Sequence, residues 1–281
     1  MSKFFKIFQK NSKLGGLGGG ITYGTKTHVV KKHGEAWVNI KIVIEALLIA
    51  LVFRSFVFDN FHVPSGSMKP TLLIGDKIIV SKYSYGYSRY SFPFGIVPFK
   101  GRIFSSSPQR GDIVVFKLPS NKRINYVKRL IGLPGDVIQM KDGLLYINDI
   151  AVHLNKVKDF TDVVSKENFS VEQYIETLPN GVEHLVLDSY KGFFADDTEK
   201  FTVPQEHYFF MGDNRDNSQD SRFEEVGFVH KGLLLGKVKK IFISSENSLL
   251  NPFKYHKIRF SRIFSNPYDI KKENIELKSG N

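Results

Sequence analysis

The chain has 281 residues, 42% of them hydrophobic, which is enough for one large domain or two small ones and excludes a disordered protein. It contains no cysteine, so disulfides, thiolate metal sites and cysteine nucleophiles are excluded. A formal net charge of +12 predicts an anionic partner, either nucleic acid or a membrane surface.

Residues 1–36 read as a flexible basic segment in which seven lysines face one acid, Glu35, around the run Gly15-Gly16-Leu17-Gly18-Gly19-Gly20. Residues 37–58 then turn apolar over about 22 residues, the length a helix needs to cross a ~30 Å hydrocarbon layer. Trp37 and Arg54 flank the uncharged centre as interface anchors do, and Lys41 can snorkel, while Glu45 counts against a span. The lysines on the N-terminal side predict that 1–36 stays in the cytoplasm and the remainder is exported. No small-x-small cleavage site follows, so the segment is expected to remain as a single-pass anchor.

Next comes Val63-Pro64-Ser65-Gly66-Ser67-Met68-Lys69-Pro70-Thr71-Leu72. Two prolines and a glycine make a bent segment that fits neither a helix nor a central strand, so its hydroxyls project from a stiff turn. A serine held in this way can act as a nucleophile if a base lies within reach, and its own N–H can help bind an oxyanion. An ordinary turn has the same composition.

Beyond it the pattern is β. Gly-Asp recurs as a turn that launches a β-branched run: Gly75-Asp76 into 77–81, Gly111-Asp112 into 113–117, and Gly135-Asp136 into 137–140. Further strands are expected at 125–131, 144–148, 207–211 and 232–244. This spacing predicts a mainly β protein with an antiparallel sheet or barrel-like sandwich. The Phe- and Pro-rich residues 90–99 read as an apolar loop that either dips into a bilayer or packs beneath a strand. Residues 150–200 read as a polar, irregular insertion without chemistry, and the chain from 266 as a lysine-rich tail with little to bury. The polar stretch 213–220 resembles a calcium loop, but Arg215 stands at a ligand position and the glycine of the sharp turn is missing, so no metal is expected.

A nucleophilic serine needs a proton acceptor. Of the eight histidines only His62 lies near Ser67 in sequence, and none stands in a triad context. Lys69, beside Pro70 on an exposed turn, is expected to stay protonated. Lys128 differs, because in Tyr126-Val127-Lys128-Arg129-Leu130-Ile131 strand alternation puts it on the face of Tyr126 and Leu130, where desolvation lowers an amine's pKa. Arg129, on the opposite face, is expected to stay wet. A strand lysine is otherwise an ordinary solvent-facing charge.

Four boxes in order now carry a resemblance: Pro64-Ser65-Gly66-Ser67-Met68 with Pro70-Thr71-Leu72; Arg110-Gly111-Asp112-Ile113-Val114-Val115-Phe116; Tyr126-Val127-Lys128-Arg129 with Gly132-Leu133-Pro134-Gly135-Asp136; and Gly212-Asp213-Asn214-Arg215-Asp216-Asn217-Ser218 with Asp220-Ser221-Arg222. Behind a membrane anchor, they resemble the bacterial type I signal peptidases, also called leader peptidases. The resemblance implies a Ser/Lys dyad with Ser67 as nucleophile and Lys128 as general base, and an oxyanion hole formed by the Ser65 hydroxyl and the Ser67 N–H. Ser218 would orient the lysine, and an Asp220–Arg222 ion pair would hold that loop. Shallow pockets would be lined by Phe61, Val63, Leu72, Ile78, Val115 and Tyr126.

It further implies a β-rich catalytic domain at 59–265, carrying the insertion, on the periplasmic side of the bacterial inner membrane. Substrates would be signal peptides of exported preproteins, cut after a small residue at Ala-x-Ala type sites through an acyl-enzyme. The partners expected are those peptides and the phospholipid membrane, with no nucleic acid, cofactor or metal. Two rivals are a repressor-type Ser/Lys self-cleaving protease, which has no anchor, and a membrane-anchored, non-catalytic binder.

Overall fold

A computed structural model describes residues 33–92, 101–162, 169–188, 192–245 and 258–270, with all side chains in these ranges except those of 33–36, 52–55, 162 and 169. From residue 93 onward, the expected apolar loop at 90–99 lies outside the described residues. The chain divides into two units, Met1–Ala46 and Leu47–Asn281, the boundary falling within the first helix.

Helix α1 spans His33–Phe56, starting before and ending short of the expected 37–58, because Phe58 already pairs with Ser81 in a sheet. Its described apolar side chains, among them Trp37, Ile42, Leu47 and Ile49, are exposed. Among the described residues no helix is long and apolar enough to cross a membrane; the unbroken run of described side chains in α1 covers only 37–51.

The strands follow in chain order: β1 Phe58–His62, β2 Asp76–Ser81, β3 Tyr87–Ser88, β4 Arg102–Ile103, β5 Ile113–Lys117 and β6 Asn125–Gly132. Then come β7 Val137–Lys141, β8 Leu144–Ile147, β9 Ile150–Ala151, β10 His153–Lys156, β11 Phe160–Asp162 and β12 Phe169–Val171. The last are β13 Gln173–Thr177, β14 Glu183–Leu187, β15 Phe201–Thr202, β16 His207–Met211, β17 Val229–His230 and β18 Leu234–Ser244. The main sheet has the order β1-β2-β18-β5-β6-β16-β17 and is antiparallel throughout. The mainly β, antiparallel expectation holds, and most strand bounds fall within a residue or two of those read from the sequence.

The three Gly-Asp turns share one geometry. Gly75, Gly111 and Gly135 all adopt φ near +90°, where a side chain is strained. Each following aspartate, Asp76, Asp112 and Asp136, accepts the N–H of the residue three before it, Leu73, Gln109 and Leu133. Each carboxylate then meets a cation from elsewhere: Arg262, Lys237 and Arg110 respectively. The turns therefore start strands and also tie them to distant segments.

Both faces of β5 are buried. Val114 and Phe116 pack with Leu130, Tyr208 and Phe210 on one side, and Ile113 and Val115 with Ile78, Val80 and Val238 on the other. The 150–200 insertion is ordered where it is described, with β13 at the centre of the three-stranded sheet β10-β13-β14, so the expectation of irregular structure there is corrected. The tail does not begin at 266. Tyr268 packs against the core, its hydroxyl accepting from Ile113 N and donating to the Val238 carbonyl.

Candidate active site

Ser67 sits in the turn between β1 and β2. Val63, Met68 and Leu72 sink into the core on either side of it, and Leu72 N–H closes onto the Met68 carbonyl at 2.8 Å. Burial of each such apolar side chain is worth about 1.5–3 kcal/mol, so the turn is pinned at three points. Val63 and Leu72 are thus corrected from pocket lining to core beneath it. The carbonyl of Ser67 accepts Asn214 N–H at 3.1 Å, and the Asn214 side-chain amide donates to the Gly66 carbonyl at 3.1 Å. The turn is therefore tied to the loop after β16.

Lys128 reaches the same place from the centre of the sheet. Its cross-strand partner is Val114, which puts it on the face of Phe116, Tyr126 and Leu130, as alternation predicts. Only 4% exposed, its Nζ stands 2.5 Å from Ser67 Oγ and 5.2 Å from the centre of the Tyr126 ring. Burial pushes the Lys128 pKa down to about 8, against the opposing pull of Asp220 and Asp213. Roughly one amine in ten is then neutral at pH 7, against about one in three thousand for an ordinary lysine. A neutral amine at this distance is placed to accept a hydroxyl proton. Ser65 Oγ lies 3.4 Å from Ser67 Oγ.

The pair opens onto a cavity of about 330 Å³ lined by Phe61, Ile78, Val115 and Tyr126, together with His62, Asn217 and Gln219. Four of the six expected pocket residues line it. His62 lies on its wall, but the group meeting the hydroxyl is Lys128. A second cavity of equal volume lies against Arg129, His184 and Tyr268. The amine–hydroxyl contact points to the first as the reacting site.

Behind the dyad lies a buried charge cluster that the sequence did not disclose. Arg129 is buried and not wet, because the second face of β6 is covered as fully as the first. It donates twice to Asp213, from Nε to Oδ1 at 2.8 Å and from Nη2 to Oδ2 at 2.7 Å, and Thr71 Oγ1 also donates to Asp213 Oδ2. Burial alone raises a carboxyl's pKa, but Arg129 holds Asp213 below the usual range. Asp220 is likewise kept ionised by Arg222, which bonds it at 2.9 and 3.0 Å, as the expected ion pair requires. The Ser218 hydroxyl is buried and makes no hydrogen bond to Lys128; it lies close to Gly212 and on the side of Asp220. Glu176 and His184, both from the insertion, complete the cluster. Their only sequence signal is acid and imidazole inside strands whose neighbours are apolar.

Residues 36–243 match the family described as signal peptidase, peptidase S26. The chain belongs to the signal peptidase family. Signal peptidase I of Rickettsia canadensis (strain McKiel) is 41% identical over 269 residues, covering 87% of this chain and 97% of that one. Signal peptidase I of Rickettsia typhi (strain Wilmington) is 42% identical over 248 residues, covering 80% and 91%. A crystallised signal peptidase I from Enterococcus faecalis V583 aligns at 29% identity over 47% of this chain and 97% of that one, with a TM-score of 0.27, too low to bear on the fold. As a member of the signal peptidase family the chain is a serine peptidase, a hydrolase that removes signal peptides.

Proposed function

We propose that the chain is a membrane-anchored endopeptidase in which Ser67 is the nucleophile and Lys128 its general base. One observation carries this reading: a lysine amine with a pKa near 8, shielded from water, 2.5 Å from a serine hydroxyl at the wall of a cavity. The neutral amine takes the Ser67 proton as Oγ attacks the scissile carbonyl. The Ser67 N–H and the Ser65 hydroxyl receive the developing oxyanion. The protonated lysine returns its proton to the leaving amine, and a water activated by the same amine releases the acyl group. Phe61, Ile78, Val115 and Tyr126 make the cavity wall beside Ser67 apolar, which supports binding of uncharged side chains there, and membership of the signal peptidase family supports cleavage after small residues at Ala-x-Ala type sites.

The anchor is α1. Ten exposed apolar side chains between Trp37 and Leu51 would meet water on a helix without a lipid around it, and Lys41 and Glu45 lie 3.7 Å apart at i,i+4, offsetting each other's charge. The basic N-terminal segment sets the orientation, with residues 1–36 cytoplasmic and the β-rich domain on the outer side of the bacterial inner membrane, facing signal peptides of exported precursors. The deciding experiment incubates the full chain in detergent with a precursor bearing an Ala-x-Ala site and sequences the new N-terminus. Cleavage by wild type together with none by Ser67→Ala and Lys128→Met is expected; cleavage by either variant at the wild-type rate rejects the dyad.

A further inference from the structure

The insertion reaches the interior of the catalytic domain at β13 and β14. Leu187, the last residue of β14, forms a parallel bridge with Asn214. Its N–H donates to the Asp213 carbonyl at 2.8 Å, and its own carbonyl accepts Arg215 N–H at 2.9 Å. Glu176, on β13 and 1% exposed, accepts from Arg215 Nη2 at 2.7 Å, and Arg215 Nε donates to the Gly212 carbonyl at 3.3 Å. Residues 212–215 are thus gripped from the insertion side by a main-chain pair and by a buried carboxylate.

Two of these four residues grip the nucleophile turn from the other side, Asn214 through the carbonyls of Gly66 and Ser67 and Asp213 through the Thr71 hydroxyl. His184, facing Glu176 across β13 and β14, fills the space between Glu176 and Asp213 at 3.3 and 4.0 Å. Burial and Arg129 keep its ring below the usual histidine range, hence uncharged. In this cluster Arg129, Arg215 and Arg222 then balance Asp213, Glu176 and Asp220. Removing Glu176's charge leaves Arg215 unpaired in the interior, and the nearest way to relieve this is to shift the segment that carries Asn214.

We infer that Glu176 is a positioning residue for signal-peptide cleavage: through Arg215 it fixes residues 212–215, and through them the Ser67 turn, at the register where Oγ meets Lys128. This rests on the Ser67–Lys128 reading and assigns a catalytic purpose to the insertion, which otherwise stands outside the chemistry.

The test uses the full chain in detergent with the same precursor, comparing wild type, Glu176→Gln, the neutral pair Glu176→Gln/Arg215→Gln, and Ser67→Ala. For each folded variant, kcat and KM are measured per folded molecule. Glu176→Gln is expected to lose at least tenfold in kcat with KM within twofold, because the cavity wall is untouched, and the double variant is expected to be similarly slow. A folded Glu176→Gln or double variant with kcat within twofold of wild type, beside an inactive Ser67→Ala, rejects the positioning role and leaves the dyad standing. Failure of both Glu176 variants to fold also rejects it, because the pair then serves only the fold. Cleavage by Ser67→Ala removes the dyad, and the inference with it.

Discussion

Asn214 donates its main-chain N–H to the carbonyl of Ser67 at 3.1 Å, so the loop after β16 and the nucleophile turn move as one piece. Gly212, two residues earlier, shows how closely the two segments run. A Cβ at Gly212 would lie 2.5 Å from the Ser67 carbonyl oxygen and 2.2 Å from Ser218 Oγ, both below any real contact. Gly212→Ala is expected to keep its sheet spectrum, lose at least about tenfold in kcat and lower Tm by several degrees, since overpacking costs about 1–3 kcal/mol. Unchanged turnover in a folded Gly212→Ala protein would show that the Asn214–Ser67 contact is not needed for catalysis.

Replacing Lys128 by Met should abolish cleavage, by at least about 10³-fold, while making the protein more stable at neutral pH. The sign follows from the depressed pKa. Folding buries an ammonium wherever both folded and unfolded states are protonated, which is below about 8, and the penalty fades as pH rises toward the ordinary value of 10.5. At pH 7 the variant is expected to gain up to about 3 kcal/mol in urea unfolding, and near pH 10.5 almost nothing. A destabilised Lys128→Met at pH 7 would mean that the amine is not desolvated.

Catalysis by a neutral lysine rises with pH. The single-turnover rate is expected to climb about tenfold per unit below pH 7 and to level off above an apparent pKa near 8. Placing a positive charge beside the cluster, for example Gln219→Lys on the cavity wall, should move that midpoint down. A rate that peaks below neutrality would assign the proton transfer to another group.

Acid should loosen the cluster. Burial opposes ionisation of Glu176, yet Arg215 and His184 bring its pKa down to about 2, and Asp213 and Asp220 are also held low. A carboxylate with a depressed folded pKa contributes stability above its unfolded value and loses it as pH falls toward the folded one. Urea midpoints are expected to begin falling below the ordinary histidine value of 6.5, because the unfolded chain protonates His184 where the folded one resists it, and to drop steeply between about 4.5 and 2, and a folded Glu176→Gln should drop less steeply. Parallel curves for the two proteins would exclude Glu176 from the acid response.

Much of this architecture is written locally. The Gly-Asp turns and the β-branched runs after them give most of the main sheet, and a lysine among Tyr126, Val127 and Leu130 marks the general-base candidate. What escapes a local reading depends on what covers each surface. Alternation assigns Arg129 to the second face of β6 but does not say that Asp213 lies over that face. Glu176 and His184 look like ordinary solvent-facing polar residues until the pairing of β13 with β14 sets Glu176 against Arg215 and His184 between Glu176 and Asp213. Val63 and Leu72 flank the nucleophile in a turn, where no fixed period tells inward from outward. Tyr268 follows a polar stretch, and only the hydroxyl's place between Ile113 and Val238 shows it to be part of the core.

The step from α1 to β1 sets a distance. The helix closes at Phe56, the strand opens at Phe58, and Phe61 and His62 already stand on the cavity wall. Six residues of extended chain cover no more than about 20 Å. Were α1 to lie in the bilayer, as proposed, that span would act as a ruler: precursors whose apolar segment rests in the same lipid leaflet would be cut where the scissile bond emerges within that height, and lengthening β1's lead by a few residues should shift which bond is chosen.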